Sequence, residues 1–484
     1  MVRPYLWIVI VGAITSFFDA CGIGSNDLAN SFGTIYGSKV MSLKQIVLLA
    51  SVCEFSGALL LGSQVTSTLA GSIADVRVFR RVPYVLMYGM LSALAASTLW
   101  IYTATYLELP VSTTHSIVGG ILGFSMAYGG PRAILWYMPT NEFPYMKGVV
   151  PIVVSWFTSP VLSGLCSMFI YGVTRTWILR SKNSAMRSIY YLPWVVLFTF
   201  YIEAFFILTK GAKSRIKWSM SQSAWVSACI ASGASLMSFG FVPYLRKKVR
   251  DDIDGNAVVA PNEMGKMELA LASADTGEEG YRVVLEIGAG NKDGEGHGGA
   301  GGHRDVRVEQ YDPHAETCFK YLQIFTSICA SFAHGANDVS NSIGPFAAIY
   351  HIYQKGNVTS RISVPIWILC IGGSGIVVGL ATYGANIMRV LGEKITPITP
   401  SRGFSAELAT ALVVSFASAY GIPISSTQCI TGAVIGISLM DMDIRSLRWK
   451  MIGKMYAAWV FTLAVTGVIS AGIFSQGVHS PNIA

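Results

Sequence analysis

Charge is what this 484-residue chain has least of: only 13% of its residues are Asp, Glu, Lys or Arg, about half the ~25% of an ordinary soluble domain. With a mean hydropathy of +0.50 spread along the length, that deficit excludes a typical soluble enzyme and puts most of the chain in lipid. Paired cysteines are missing as well. The eight cysteines, among them Cys21, Cys166, Cys229 and Cys429, form no CxxC pair and no secreted-scaffold spacing, so they read as buried thiols without a redox role. The opening run MVRPYLWIVIVGAITSFFDA is too long for a signal-peptide core and shows no convincing cleavage site, which makes it a retained first span.

Acids are scarcer still outside one stretch. Residues 246–316 hold fifteen of the 27 acidic residues and nine of the 35 basic ones, which leaves twelve acids for the rest of the chain. The net charge of +8 therefore does not describe a nucleic-acid partner, because the basic residues lie mostly between apolar segments. Each remaining acid is informative, since charge inside a bilayer is costly and tends to mark a pathway. Asp27, Glu54, Glu203, Asp338 and Glu407 all sit in or beside apolar runs.

A helix needs roughly twenty apolar residues to cross a bilayer. Twelve segments qualify: 5–24, 45–70, 84–106, 110–128, 148–172, 190–209, 222–245, 319–335, 364–383, 404–421, 424–440 and 451–474. The expected fold class is all-α: a polytopic membrane protein of about 10–12 transmembrane helices, with the segments from Pro110 and Pro423 as candidate re-entrant or discontinuous helices. Residues 246–316, with the run GAGNKDGEGHGGAGGH, read as a largely disordered hydrophilic loop with a short strand at Tyr281–Ile287. His297, His303 and His314 in or beside that run read as solvated loop histidines and not as a metal tract. The basic run Arg246, Lys247, Lys248 and Arg250 puts the loop in the cytoplasm.

Compared with itself, the sequence repeats. Gly24-Ser25-Asn26-Asp27-Leu28-Ala29-Asn30-Ser31 recurs as Gly335-Ala336-Asn337-Asp338-Val339-Ser340-Asn341-Ser342, 311 residues on. Pro110-Val111-Ser112-Thr113-Thr114-His115 recurs as Pro423-Ile424-Ser425-Ser426-Thr427-Gln428, 313 residues on, and Trp156 with Gly164 is echoed by Trp459 with Gly467. Matches in one order at nearly one offset define two homologous repeats. The organisation is then 1–172 as first repeat, 173–245 as connecting helices, 246–316 as cytoplasmic loop and 317–484 as second repeat. Seven segments before the loop would send the second repeat in from the opposite face. Inverted repeats of this kind are usual in secondary transporters, with the site near the midplane. The triplet Asn357-Val358-Thr359, of glycosylation type, would then lie outside.

The motifs suggest chemistry. Asn26 and Asn30, like Asn337 and Asn341, are four apart and share one helix face, each pair beside an Asp. Amide and carboxylate oxygens, with backbone carbonyls wherever the helix unwinds at glycine, suit a hard cation, and no soft thiol or imidazole pair is expected beside them. A polar interhelical clamp is the structural alternative, but two copies with acids favour an ion site, holding sodium or a proton on Asp27 or Asp338. Proline followed by hydroxyl residues starts a helix. Free N–H groups, hydroxyls and the positive dipole end make an anion seat, and two such seats would grip a tetrahedral oxyanion from both sides. Near Asp27 and Asp338 that anion would be repelled unless cations came first, and such coupling makes a symporter. His115 beside Ser112 raises nucleophilic catalysis, but Gln428 stands at its matching position, so the chain does not read as an enzyme. Glu54 and Glu407 are gating or proton-handling acids, or partners of a basic group at a helix end. Asp19 and Glu203 carry weaker signals.

At these residues the sequence resembles the inorganic phosphate transporter (PiT) family, whose signature is a G-A-N-D-V-A-N-type motif and a later P-[VI]-S-[ST]-T-H motif in each half. The likeness covers both repeats. It implies sodium- or proton-coupled uptake of inorganic phosphate, with both termini outside and the large loop cytoplasmic. Carried over by position, Asn26, Asp27, Asn30, Asn337, Asp338 and Asn341 would be the cation-binding groups, with sodium at these clusters. Asp27, Ser112, Thr113, Thr114, Asp338, Ser425, Ser426 and Thr427 would bind phosphate, and Glu54 and Glu407 would be transport-relevant acids. Met90, Ser25 and Gln428 depart from the family pattern.

The expected function is cation-coupled phosphate symport by alternating access, with co-transported sodium or protons in place of any cofactor and the bilayer and phosphate as partners. A homodimer is compatible with the sequence, and the plasma membrane is the default location. The alternatives are a proton-coupled phosphate or sulfate permease, and a phosphate sensor without turnover.

Overall fold

The computed structural model describes residues 5–37, 40–107, 109, 111–141, 143–211, 218–259, 311–360, 362–384, 399–441 and 449–479. Fourteen helices account for nearly all of them: α1 (Leu6–Gly37), α2 (Leu43–Leu61), α3 (Ser63–Gly71), α4 (Val76–Phe79), α5 (Pro83–Tyr106), α6 (Thr113–Gly129), α7 (Val149–Val173), α8 (Ser184–Phe206), α9 (Met220–Val259), α10 (Pro313–Lys355), α11 (Ile366–Gly379), α12 (Pro400–Ala419), α13 (Ser426–Met440) and α14 (Trp449–His479). A two-residue hairpin pairs Met138–Pro139 with Met146–Lys147.

Eight of the spans are long and apolar enough to cross a bilayer, and the chain is a multi-pass membrane protein of the all-α class. The four other expected spans are α6, α10, α12 and α13. α6 and α13 are short, at 17 and 15 residues, while α10 and α12 carry ionisable side chains along their length, among them His334, Asp338, Arg402 and Glu407. The segment 45–70 differs from expectation in being two helices, α2 and α3, hinged at Gly62. At Gly62 a Cβ would press on the carbonyl of Ala58 and on Val339 of α10. The proposed strand at Tyr281–Ile287 lies outside the described residues, as do His297 and His303.

Local chemistry sets the helix ends. Ser42 and Gln45 form a capping box at α2, satisfying two of the free donors at a helix start. Asp312 caps α10 ahead of Pro313, and Gly356 ends it in the left-handed conformation (φ 68°). A 43-residue helix is about 65 Å long at 1.5 Å per residue, far more than a ~30 Å hydrocarbon core. Its two ends therefore lie at opposite faces of the bundle.

The repeat seen in sequence is a repeat of contacts. α1 packs on α11 as α10 packs on α2; α1 on α5 as α10 on α12; α6 on α14 as α13 on α7. The last pairing exchanges helices between repeats and depends on glycine. A Cβ on Gly123 of α6 would overlap the Gly467 carbonyl of α14, and one on Gly432 of α13 would overlap the Pro160 carbonyl of α7. Such small-residue contact lets helices approach where lipid offers no hydrophobic drive. α8 and α9 pack on each other and on α10, while α8, α9 and α7 turn many large apolar residues outward, including Phe169, Trp194, Leu236 and Phe241.

Candidate functional site

α1 and α10, the two helices bearing the Asn-Asp motif, cross each other at the centre. Both run helical through their motif glycines, so the expected unwinding at Gly24 and Gly335 does not occur. The glycines serve approach instead: a Cβ at Gly24 would overlap the Ile376 carbonyl, and one at Gly335 the Glu54 carbonyl. These matched contacts bring α11 and α2 against the motifs.

Beside the motifs lie the starts of α6 and α13. Ser112 and Ser425 are the N-caps, accepting from the backbone of His115 and Gln428 respectively. Their hydroxyls are thus spent partly on holding the helix starts. The next residues reach further. Thr113 donates to Asp27 Oδ2 (3.2 Å) and Ser426 to Asp338 Oδ2 (3.0 Å), so each helix start meets the carboxylate of its own repeat. Thr114 donates to the Ile424 carbonyl (2.9 Å), tying one start to the other. Thr427 is buried alongside.

The asparagines divide by task. Asn26 donates to Thr105 (3.1 Å) and to the Leu109 carbonyl (3.2 Å), and it accepts from the Val111 amide (3.3 Å). It clamps α1 to the approach of α6. Asn337 does the same for α13 through the Ile424 carbonyl (2.7 Å) and also donates to Asp338 Oδ1 (2.8 Å). Asn341 donates to Thr113, Thr114 and Asp338, crossing between repeats. The side-chain oxygens of Asn337 and Asn341 are buried and without a hydrogen-bond partner among the described residues, an arrangement that costs free energy unless a donor or cation comes to them. The Asn30 side chain lies outside the described residues.

One side chain was missed by sequence reasoning. His334, one turn before Asp338 on α10, has Nδ1 2.7 Å from Glu54 Oε2, and Nε2 2.9 Å from Asp338 Oδ2 and 3.8 Å from Asp27 Oδ2. Among the described residues a single imidazole, and not a pair, thus stands beside the motifs. Asp27, His334 and Asp338 offer three buried ligand atoms within 4.8 Å of one another, a mixed oxygen and nitrogen set. Both ring nitrogens face carboxylate oxygens, and the ring carries a charge toward these acids only when it is doubly protonated. Ser331 also donates to Glu54 (3.0 Å). A signal did exist in the sequence: His334 and Asp338 are four apart, hence on one helix face.

The other acids are elsewhere. Glu407 on α12 accepts from Thr326 (2.7 Å) and Ser327 (3.0 Å) of α10, yet it lines a small cavity with His334, Ser31 and Ser426. Asp19 accepts from Thr98 (3.3 Å) and Glu203 from Ser415 (2.6 Å), away from the centre. His115 stacks on Trp156 at 3.9 Å between ring centroids and meets Ser112 through Nδ1 (2.7 Å); among the described residues no acid orients it. The central cavity offers about 10 Å³ to a water-sized sphere, the lower limit for one water. An oxyanion enters this centre only if its walls move.

Where α10 begins, a second charged cluster closes the bundle. Asp441 pairs with Arg402 and lies 3.7 Å from Arg175, with Asp441 and Arg402 nearly buried. Glu316 accepts from the amide and hydroxyl of Ser401 at the start of α12 (2.9 and 2.6 Å).

The sequence profile described as the phosphate transporter family matches residues 23–470. The chain is 29% identical to the phosphate-repressible phosphate permease pho-4 of Neurospora crassa over 99% of both chains. It is 28% identical to sodium-dependent phosphate transporter 1-A of Danio rerio, over 97% of this chain and 94% of that one. A solved structure titled the sodium-dependent phosphate transporter superposes with a TM-score of 0.77 at 29% identity, covering 98% of this chain and all of the other.

Proposed function

The chain belongs to the phosphate transporter family, a family of transporters and not of enzymes, and on that premise we propose that it is a sodium-coupled symporter of inorganic phosphate. The single observation that carries the reading is the meeting of two hydroxyl-bearing helix starts with a buried cluster of three acids and one imidazole. The helix starts attract an oxyanion through N–H groups and dipoles. The carboxylates, in net excess over the ring, repel it at low effective dielectric. Cations at Asp27, Asp338 and the open oxygens of Asn337 and Asn341 remove that repulsion, so cation binding precedes or accompanies anion binding. Asp acceptors also favour phosphate, which keeps a P–OH donor at neutral pH, over sulfate, which has none.

Thr113, Thr114, Ser426 and Thr427 are the proposed phosphate contacts, with Ser112 and Ser425 holding the helix starts. Alternating access would come from one repeat rocking on the other about the centre, in inverted orientation across a plasma membrane. On this reading the termini and Asn357 lie outside, and the stretch between α9 and α10 lies in the cytoplasm. The domain limits 1–172, 173–245, 246–316 and 317–484 belong to the same proposal, with the loop narrowed because α9 continues as helix to Val259 and α10 starts at Pro313. His334 favours a second reading, proton coupling, because it adds a proton carrier to the site. Uptake of labelled phosphate into proteoliposomes, with sodium replaced by choline at two pH values, decides between them. Loss of uptake in choline at both values supports sodium, and full uptake there with a pH gradient alone replaces it with the proton. Accumulation in neither condition, with phosphate still bound, turns the reading into that of a sensor.

A further inference from the structure

Away from the centre, a cavity of about 590 Å³ opens at the face where α10 ends. Its walls are α3 (Gln64, Ser67, Thr68), the hairpin region with Thr140 and Lys147, and Ser360 beyond α10. That volume falls in the usual range of small-ligand pockets, and the lining mixes hydroxyl and amide side chains with apolar ones such as Phe143, Ile152 and Ile422. Lys147 is its one fixed charge among the described lining residues, and it pairs with no carboxylate among them. A second cation stands at the rim, the Lys210 ammonium, 4.4 Å over the Tyr420 ring. Among the described lining residues the fixed charge is thus positive, and it attracts anions.

The floor connects this cavity to the centre. It is formed by Tyr420, Gly421, Ile422 and Pro423, the link between α12 and α13. The next residue, Ile424, offers the carbonyl that both Asn337 and Thr114 hold, and Ser155 donates to the Pro423 carbonyl (3.1 Å). One thickness of chain separates the open cavity from the closed site. Gly421 sits in the left-handed conformation (φ 67°), and a Cβ there would crowd Thr68 and Gln64 on the opposite wall.

The geometry points to this vestibule as an outer binding station for hydrated inorganic phosphate, with Lys147 as the residue that captures the anion before it passes the α12–α13 link. The inference rests on the phosphate reading above. The station is wide enough to leave the anion its water, so it sets how readily phosphate is collected and leaves the translocation step alone. Positive charge at a cleft raises anion association about tenfold or more, and Lys147→Ala and Lys147→Glu should raise the half-saturating phosphate concentration by about that factor. Maximal uptake should hold, and Lys147→Arg should behave as the parent chain.

The test is phosphate uptake against concentration at saturating sodium for these three variants. A second measurement uses Ser67→Cys, since no native cysteine lines the cavity. A membrane-impermeant sulfonate thiol reagent applied from that face should modify the new thiol, and inorganic phosphate in the medium should slow the modification. Unchanged half-saturation in Lys147→Glu, a loss confined to maximal rate, or a thiol that phosphate does not protect would each overturn the station. Absence of phosphate uptake by the parent chain would instead overturn the transport reading itself, a distinct result.

Discussion

Replacing His334 by leucine should cripple the site while leaving the helix intact, because leucine keeps the bulk and helix propensity of the position and removes both ring donors. In the parent structure the ring lies 2.7 Å from a Glu54 oxygen and 2.9 Å from an Asp338 oxygen, with all three residues buried. Removing one partner of a buried pair costs about 3–5 kcal/mol, since the remaining charge has no counterion and no water. A Coulomb estimate agrees: unit charges 4 Å apart at an effective dielectric of 20 interact by about 4 kcal/mol. At about 1.4 kcal/mol per decade, the properly charged site would fall roughly a thousandfold. Sodium-driven uptake in proteoliposomes reads that loss, and thermal unfolding in detergent separates it from misfolding. Glu54→Gln should lose less on top of His334→Leu than alone, because the two side chains act as one unit and their effects do not add. Uptake by His334→Leu within about threefold of the parent, in folded protein, would refute the charge accounting.

Asp27→Asn and Asp338→Asn should each abolish gradient-driven uptake, and transport retained in both would remove the proposed cation role. Ser112→Ala should lower stability by about 1 kcal/mol, the usual worth of an N-cap, with little change in half-saturating phosphate, whereas Thr113→Val, which strips a buried hydrogen bond from Asp27 and another from Asn341, should cost about 1–3 kcal/mol and also cut uptake; a denaturation curve and an uptake curve on each separate the two. Gly432→Leu should prevent α13 from seating on α7, where even a Cβ overlaps the Pro160 carbonyl, and the check is loss of the monodisperse folded species. Asp441→Asn removes the carboxylate that pairs with Arg402 and should lower stability, measured by unfolding midpoint; an unshifted midpoint would show that the neighbouring groups hold the arginine without it.

The architecture was legible because it rests on two signals that a sequence displays directly: long apolar segments and a pattern that occurs twice. Gly24 and Gly335 match by sequence offset, and in the fold each lets a neighbouring helix from the other repeat, α11 or α2, press on a motif helix. Thr113 and Ser426 match, and each meets the Asp of its own repeat. Comparison of a sequence with itself finds what is shared, and it therefore passes over what differs. His334 stands where the first repeat has Ile23. The mirrored glycine contacts set Glu54 in register with Ile376, so the acid that holds the imidazole also has no counterpart. Both unmatched residues meet at one point, with the imidazole 3.8 Å from Asp27 and 2.9 Å from Asp338. The pseudo-twofold centre is thus symmetric in its carboxylates and helix starts but asymmetric in its charge. An anion gripped evenly from both sides would face an uneven field, with the surplus positive group on the α10 side. Cations that neutralise the centre would then bind Asp27 and Asp338 with unequal affinity, because one carboxylate is nearer the imidazolium than the other. Sodium should accordingly fill the Asp27 side first, and Asp27→Asn should weaken sodium dependence more than Asp338→Asn when each variant is titrated with sodium in a binding assay at fixed phosphate. Equal sodium curves for the two variants would mean that the imidazolium is shared evenly between the carboxylates, against the distances.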